Sequence, residues 1–494
     1  MHNGGERNAN TRYTAGLRVL LSALIGLTVL RLAVLIASPL DLFVDEAQYW
    51  LWSTRPSFGY YSKPPFIAWL IAFTTALVGD AEWGVRLASP LLHAGTAGFV
   101  FLAGRSLYDA RTGVAAAVVY LTLPAVSFSS LLISTDVPLL FFWSAALFSL
   151  IQARQHGGGW WVGLGLSLGL GLLSKYAMAF FLIGWLWGEL SSPRASRRGA
   201  LVALAIAGSL YAPNLVWNAA HGFISYQHTS ENADLAGAHM NAGELLAFMA
   251  SQIAMVGPGV FLGLMAALIS RPLRDEPARW LIGFIAPVLV FYLALALVAG
   301  ANANWAVSAY VAGSILAARG LMRASWRPAW GMAVGLNVLL GLAIAGAVLC
   351  WGEETDRFPL RADPLKRLRG WETLGAEVSQ WRQRYPADCV LVTDRATASA
   401  MAYYALPRPA PVVKWHPPGP IRDHFDLTAD LADVACPAWL LVAPPDRATG
   451  MARRFTGSEA LGTVGQPQGD QRERRYAIYR LHEFAGYPTR SPSP

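Results

Sequence analysis

The residues best equipped for chemistry lie in one stretch, 44–69, which reads VDEAQYWLWSTRPSFGYYSKPPFIAW. Asp45 and Glu46 are adjacent carboxylates, and Lys63 stands before Pro64 and Pro65 as the only lysine ahead of Lys175. A carboxylate can take a proton from a hydroxyl. A cation held by a rigid proline turn can stabilise charge developing on a phosphate. Together these are what a group transfer from a lipid phosphate requires. Tyr49, Trp50, Trp52, Phe58, Tyr60 and Tyr61 crowd the same loop with rings suited to sugar stacking or a lipid interface. The plainer reading of the acids is a short helix over 46–53 whose N-terminus they favour.

The elements that must position this loop are hydrophobic. The chain has 494 residues, of which 54% are hydrophobic and 14% charged, and its mean hydropathy is +0.37. Soluble domains carry roughly 25% charged residues, so a polytopic helical membrane protein is expected. Runs of about 20 apolar residues occur near 17–38, 83–103, 113–132, 136–153, 159–174, 176–190, 200–217, 243–269, 280–299, 305–321 and 329–350, giving about eleven spans. The apolar run 19–37 is longer than a signal-peptide core and has no A-x-A site after it, so it reads as a retained helix. The stretch 64–79 is shorter and begins at a proline pair, which suits an interfacial helix.

Charge sets the expected orientation. With the N-terminus cytoplasmic, the inner loops collect Arg105, Arg111, Arg154, Arg194, Arg197, Arg198, Arg271, Arg274, Arg279, Arg319, Arg323 and Arg327. The outer loops hold chiefly Arg55, Lys63, Arg86 and Lys175. Counting 64–79 as a span would invert every later loop and destroy this asymmetry. The net charge of +8 is then mostly topological and gives no reason to expect nucleic acid. Residues 351–494 change character: charges nearly balance, and CVLVTD, PVVKW, AWLLVAP and YAIYRL read as short strands between helical stretches such as WETLGAEVSQWRQRY. A small α/β domain on the outer side is expected, with no G-x-G-x-x-G for a nucleotide. The tail GYPTRSPSP reads as frayed. Cys350, Cys389 and Cys436 have no metal-site spacing, and a disulfide between the last two is open.

Other candidates each have a plain alternative. Arg31 lies inside the first span, where an arginine is costly and suspect, though it could snorkel or pair. Arg86 stands one turn after Glu82, as an ion-pair partner or a phosphate ligand. Lys175 falls between two short spans, either snorkelling or facing a phosphate. The outer loop with His221, His228, Glu231, Asp234 and His239 fits no standard metal spacing and reads as a mobile polar cover over an acceptor cavity. Asn302, Asn304 and Trp305 could bind a sugar or cap a helix.

DEAQYW followed by GYYSKPPFIAW, after the first span and before a short interfacial helix, resembles bacterial members of glycosyltransferase family 39. That family includes protein O-mannosyltransferases, the aminoarabinose transferase acting on lipid A, and rhizobial-type galacturonosyltransferases. The resemblance implies a GT-C fold: a transmembrane catalytic domain over 1–350, with its first outer loop at 39–82, and a periplasmic α/β domain over 351–494. It places Asp45 as the general base and Tyr60 and Lys63 near the lipid phosphate. STDVPLLFFW resembles a second family motif and adds Asp136 as a catalytic candidate. Gln48 and Ser62 stand where the aminoarabinose transferase carries an arginine and a glutamate, so the match is nearer to the galacturonosyltransferase-like group.

The expected activity is inverting sugar transfer from a polyprenyl-phosphate donor to lipid A, core oligosaccharide or another envelope glycan or lipid, at the periplasmic face of a bacterial inner membrane. Asp45 and Asp136 are the expected catalytic residues. Glu46, Tyr60, Tyr61, Lys63, Arg86, Lys175, His221, His228, Asn304 and Trp305 are the expected substrate-binding ones, without metal or cofactor. Two rival functions would leave different marks. An O-antigen polymerase or ligase would put its key residues in a large mid-chain loop. A lipid-linked sugar transporter or flippase predicts an inverted repeat, and none is visible.

Overall fold

The computed structural model describes residues 3–191, 196–232, 240–270, 274–323, 328–351, 363, 365–467 and 473–487, with side chains from residue 14 onward except that of residue 351. Asp234, His239 and most of the final tail lie outside the described residues. Two compact units are formed. One comprises Met1–Ala37, Lys63–Ile67 and Arg86–Gly346; the other comprises Ser38–Ser62, Ala68–Val85 and Ala347–Pro494.

The first unit is helical throughout. Among the described residues six helices are long and apolar enough to cross a bilayer: Thr14–Ala37, Glu82–Leu107, Asp136–His156, Arg197–Ala220, Glu276–Ala299 and Ala329–Cys350. The protein is therefore a multi-pass helical membrane protein. Asp136–His156 is buried along nearly its whole length, whereas Arg197–Ala220 turns Leu201, Val202, Leu215 and Val216 outward, as a lipid-facing helix does. Between apolar helices in lipid, close van der Waals packing must replace the hydrophobic drive. Gly165 supplies it: a methyl group there would sit 2.7 Å from the Ala203 carbonyl oxygen of the neighbouring helix.

Several expected spans fall on shorter pieces. The runs 113–132, 159–174, 176–190 and 305–321 become Ala110–Thr122 with Pro124–Ser129, Trp160–Ser174, Phe180–Ser191 and Ala309–Arg323. Trp160–Ser174 stops because Lys175 is extended (φ −159°, ψ 136°). The run 243–269, expected as one span, is two helices, Ala242–Val256 and Pro258–Ile269, meeting at 105°. Gly257 makes the turn at φ 83° and Pro258 opens the second helix. The Asn337 amide donates to the freed Val256 carbonyl at 2.9 Å.

The second unit is built on a five-stranded sheet of order β2-β1-β3-β5-β4, with β1 Cys389–Val392, β2 Val412–Lys414, β3 Trp439–Ala443, β4 Phe455–Pro467 and β5 Glu473–Phe484. β2, β1 and β3 run parallel, while β3–β5 and β5–β4 are antiparallel. The three short parallel strands are almost wholly buried, which explains their unbroken apolar sequences. β4 escaped the sequence reading because it is a polar, glycine-bearing edge strand paired on one side only. Cys389 and Cys436 form a disulfide across 47 residues.

Segments 38–62 and 68–85 pack within this second unit. Helix Val44–Ser53 lies against helix Arg395–Tyr404, where Trp50 meets Tyr403 edge-on at 4.8 Å. Trp50 also donates through Nε1 to Asp80 at 3.1 Å, and the Leu42 amide donates to the Tyr404 hydroxyl at 2.6 Å. Asp41 accepts from the Trp371 and Glu372 amides at 2.7 and 3.4 Å, closing the N-terminus of helix Trp371–Arg384. Burial outweighs those two bonds and raises the Asp41 carboxyl to about 6.

Candidate active site

The two adjacent carboxylates of the second unit have separate jobs. Glu46 is 1% exposed, and its Oε2 accepts from the Phe43 amide at 2.8 Å, fixing the start of helix Val44–Ser53. Asp45 faces outward from the same turn. Its Oδ1 accepts from Arg395 Nη1 at 2.8 Å, and the same nitrogen donates to Gln48 Oε1 at 2.6 Å. The Asp45 and Arg395 side chains are 39% and 41% exposed, so the pair is open to solvent.

Arg395 had no flag in the sequence. It is the first residue of helix Arg395–Tyr404, directly after β1, and Asp394 caps that helix by accepting from the Thr397 amide at 3.0 Å. Ligand-contacting residues of parallel sheets gather at such carboxyl ends of strands. An apolar strand followed by T-D-R-A-T is the signal that could have pointed to it. Arg395 is thus brought beside Asp45 and Gln48 from about 350 residues away in sequence.

Tyr60 stacks on Trp52 with ring centres 4.4 Å apart and planes 5° from parallel. Its hydroxyl donates to the Trp52 carbonyl at 3.1 Å and accepts from the Ser57 amide at 3.0 Å. Burial pushes this phenol up to about 12, so it stays protonated. His424 packs edge-on against both rings, and burial lowers its pKa to about 4, leaving the imidazole neutral. The Tyr61 hydroxyl donates to the Ile421 carbonyl at 3.4 Å. These aromatics buckle the loop that carries Asp45.

Within the helical unit, three candidates named separately from sequence come together. Asp136 begins helix Asp136–His156. Its Oδ1 accepts from Lys175 Nζ at 2.6 Å, and its Oδ2 accepts from Asn304 Nδ2 at 2.6 Å. The break at Lys175 and the 3-10 turn Ala303–Ala306 present these partners. The Lys175 and Asp136 side chains are 18% and 9% exposed, making this a largely desolvated ion pair. Trp305, next to Asn304, is half-buried and lies 5.9 Å from the Tyr292 ring.

The remaining candidates stand elsewhere in that unit or do other work. Lys63 is half-buried ahead of the proline pair, and Arg86 is fully buried at the end of helix Glu82–Arg86. His221 stacks on Trp217 at 4.0 Å and bonds its carbonyl through Nδ1 at 2.8 Å. His228 meets Asn232 across one helical turn at 3.1 Å. A cluster missed from sequence lies next in the chain to Lys175: Tyr176 stacks on Tyr226 at 4.9 Å, and Tyr226 hydrogen-bonds Tyr211.

Comparisons with known proteins identify the family and the fold. The model of the family described as dolichyl-phosphate-mannose-protein mannosyltransferase matches residues 62–217. Lipid A galacturonosyltransferase RgtD of Rhizobium johnstonii is 34% identical over 390 residues, covering 77% of this chain and 81% of that protein. An undecaprenyl phosphate-alpha-4-amino-4-deoxy-L-arabinose arabinosyl transferase of Pseudomonas fluorescens is 33% identical over 130 residues, covering 25% of this chain and 24% of its own length. Among solved structures, ArnT from Cupriavidus metallidurans in the apo state aligns with a TM-score of 0.66 at 15% identity, over 98% of this chain and 100% of ArnT. ArnT bound to undecaprenyl phosphate aligns with a TM-score of 0.65 at 16% identity, over 96% of this chain and 100% of that one. The chain has the GT-C fold and belongs to glycosyltransferase family 39.

Proposed function

We propose that this glycosyltransferase moves a sugar from a polyprenyl phosphate to lipid A or a related envelope glycolipid, with inversion, at the outer face of the bacterial inner membrane. The observation that carries the reading is the 34% identity to a lipid A galacturonosyltransferase across 81% of that protein. The aminoarabinose transferase relative, named for undecaprenyl phosphate, supports the donor class.

In the proposed mechanism the acceptor hydroxyl oxygen attacks the anomeric carbon as Asp45 takes its proton. The bond from that carbon to the phosphate oxygen breaks, and polyprenyl phosphate leaves with the electron pair. Lys63, Arg86 and Lys175 supply the positive charge for the leaving phosphate. Asp136 and Asn304 hold the Lys175 ammonium in one place, so its charge is preorganised. Trp305 offers an apolar face to the sugar, and Glu46, Tyr60 and Tyr61 keep the Asp45 loop in shape. The outer-loop residues His221 and His228 cover the acceptor. No metal ion or cofactor takes part in this scheme.

The catalytic domain is assigned to 1–350 and the periplasmic domain to 351–494. Two observations support the outward orientation: the arginines concentrate in alternate loops, and the Cys389–Cys436 disulfide suits an oxidising compartment. The test is mass spectrometry of envelope glycolipids from a deletion strain and its complement. Loss of one sugar mass from lipid A, restored on complementation, is expected. Unchanged envelope glycolipids in the deletion would overturn the assignment.

A further inference from the structure

Arg31 sits in helix Asn3–Ala37, six residues before its end, so about 9 Å inside it. The residue is 6% exposed. Its Nη2 donates to the Leu121 carbonyl and to Ser127 Oγ at 2.5 and 3.4 Å, and both partners are neutral. Nη1 is buried and has no hydrogen-bond partner among the described residues. No carboxylate among them forms an ion pair with Arg31 either. A desolvated cation without a counter-ion costs several kcal/mol, which an anion beside it would relieve.

The space for one is present. Arg31 lines a small groove of about 40 Å³ that is partly open to the outside, and it is the only charged residue among the lining residues. The rest of the wall is largely apolar and includes Leu27, Leu30, Leu131, Val338 and Leu342. Leu30 and Leu342 are 39% and 47% exposed, so the groove opens on the apolar outer surface of the helices.

We propose that this groove binds a membrane glycerophospholipid, with a phosphodiester oxygen on Arg31 Nη1 and an acyl chain along Leu27, Leu30 and Leu342. A phosphodiester carries one negative charge and matches the single guanidinium. A phosphomonoester such as polyprenyl phosphate carries nearly two at neutral pH, and the wall holds no second cation. The site is independent of sugar transfer.

Native mass spectrometry of the purified full chain tests this, with phosphatidylglycerol, dioleoylglycerol and undecaprenyl phosphate added separately. The wild type is expected to retain one phosphatidylglycerol at collision energies that strip dioleoylglycerol. Arg31→Gln, which keeps a donor for the Leu121 carbonyl, should weaken that retention about tenfold or more. Ala345→Leu fills the groove while leaving the guanidinium, and should weaken it comparably; it decides the matter if Arg31→Gln does not fold. Phosphatidylglycerol retention unchanged by the variants would overturn the proposal. So would stronger wild-type retention of either dioleoylglycerol or undecaprenyl phosphate.

Discussion

The Lys175–Asp136 ion pair separates a structural clip from a working cation. At 2.6 Å, two unit charges attract by about 6 kcal/mol at an effective dielectric constant near 20. Most of that is offset by desolvation, because the side chains are only 18% and 9% exposed. Removing one partner strands the other. Lys175→Met should therefore cost about 3 kcal/mol, since among the described residues Asp136 keeps only the Asn304 hydrogen bond. The double variant Lys175→Met/Asp136→Leu should recover stability to within about 1 kcal/mol of wild type, because an apolar pair replaces the stranded charge. Unfolding in mild detergent, followed by tryptophan fluorescence, gives the stability arm, and sugar transfer to lipid A gives the activity arm. The double variant is expected to be folded and inactive. A double variant that regains transfer would refute the role given to this pair, and a loss below about 1 kcal/mol in Lys175→Met would refute the desolvation argument.

Three further outcomes follow from the second unit. Arg395→Met should change stability by less than about 1 kcal/mol, because its pair with Asp45 is two-fifths exposed, yet it should lower transfer, measured as turnover at saturating donor. Glu46→Ala should cost about 1 kcal/mol by freeing the Phe43 amide, read as a lower unfolding midpoint. Asp41, at about 6 when folded against 3.8 for the ordinary carboxyl, binds its proton more tightly in the folded chain. Its contribution is thus complete below about pH 4 and lost as pH rises through about 6, by about 3 kcal/mol at most. Asp41→Asn should flatten that part of the stability profile in a pH titration of unfolding.

What could be read from the sequence was what depends on local pattern. Long apolar runs announced the helices, and the three short parallel strands announced the sheet, because burial on both faces leaves an unbroken apolar signature. The 105° bend at Gly257 was hidden, since the apolar run continues through it and only a glycine-proline pair marks the break. Asp136, Lys175 and Asn304 were each visible as polar residues at helix ends, but their meeting joins residues 39 and 168 positions apart. Arg395 was invisible for the same reason and stronger, because no local pattern links a helix start after β1 to a loop 350 residues earlier. By residue type alone Asp45 and Glu46 are alike, and only the family resemblance set Asp45 apart as the base. The helix start separates them, burying one against a backbone amide and leaving the other at the surface.

The role of Asp45 as base is tested by the turnover of purified Asp45→Asn, at matched protein level and matched unfolding midpoint, with a polyprenyl-phosphate sugar and lipid A. Asparagine keeps the shape and an acceptor for Arg395 but cannot take a proton at neutral pH. Turnover is expected to fall by about 10² to 10⁴ with the donor still bound. Wild-type turnover in Asp45→Asn would contradict it.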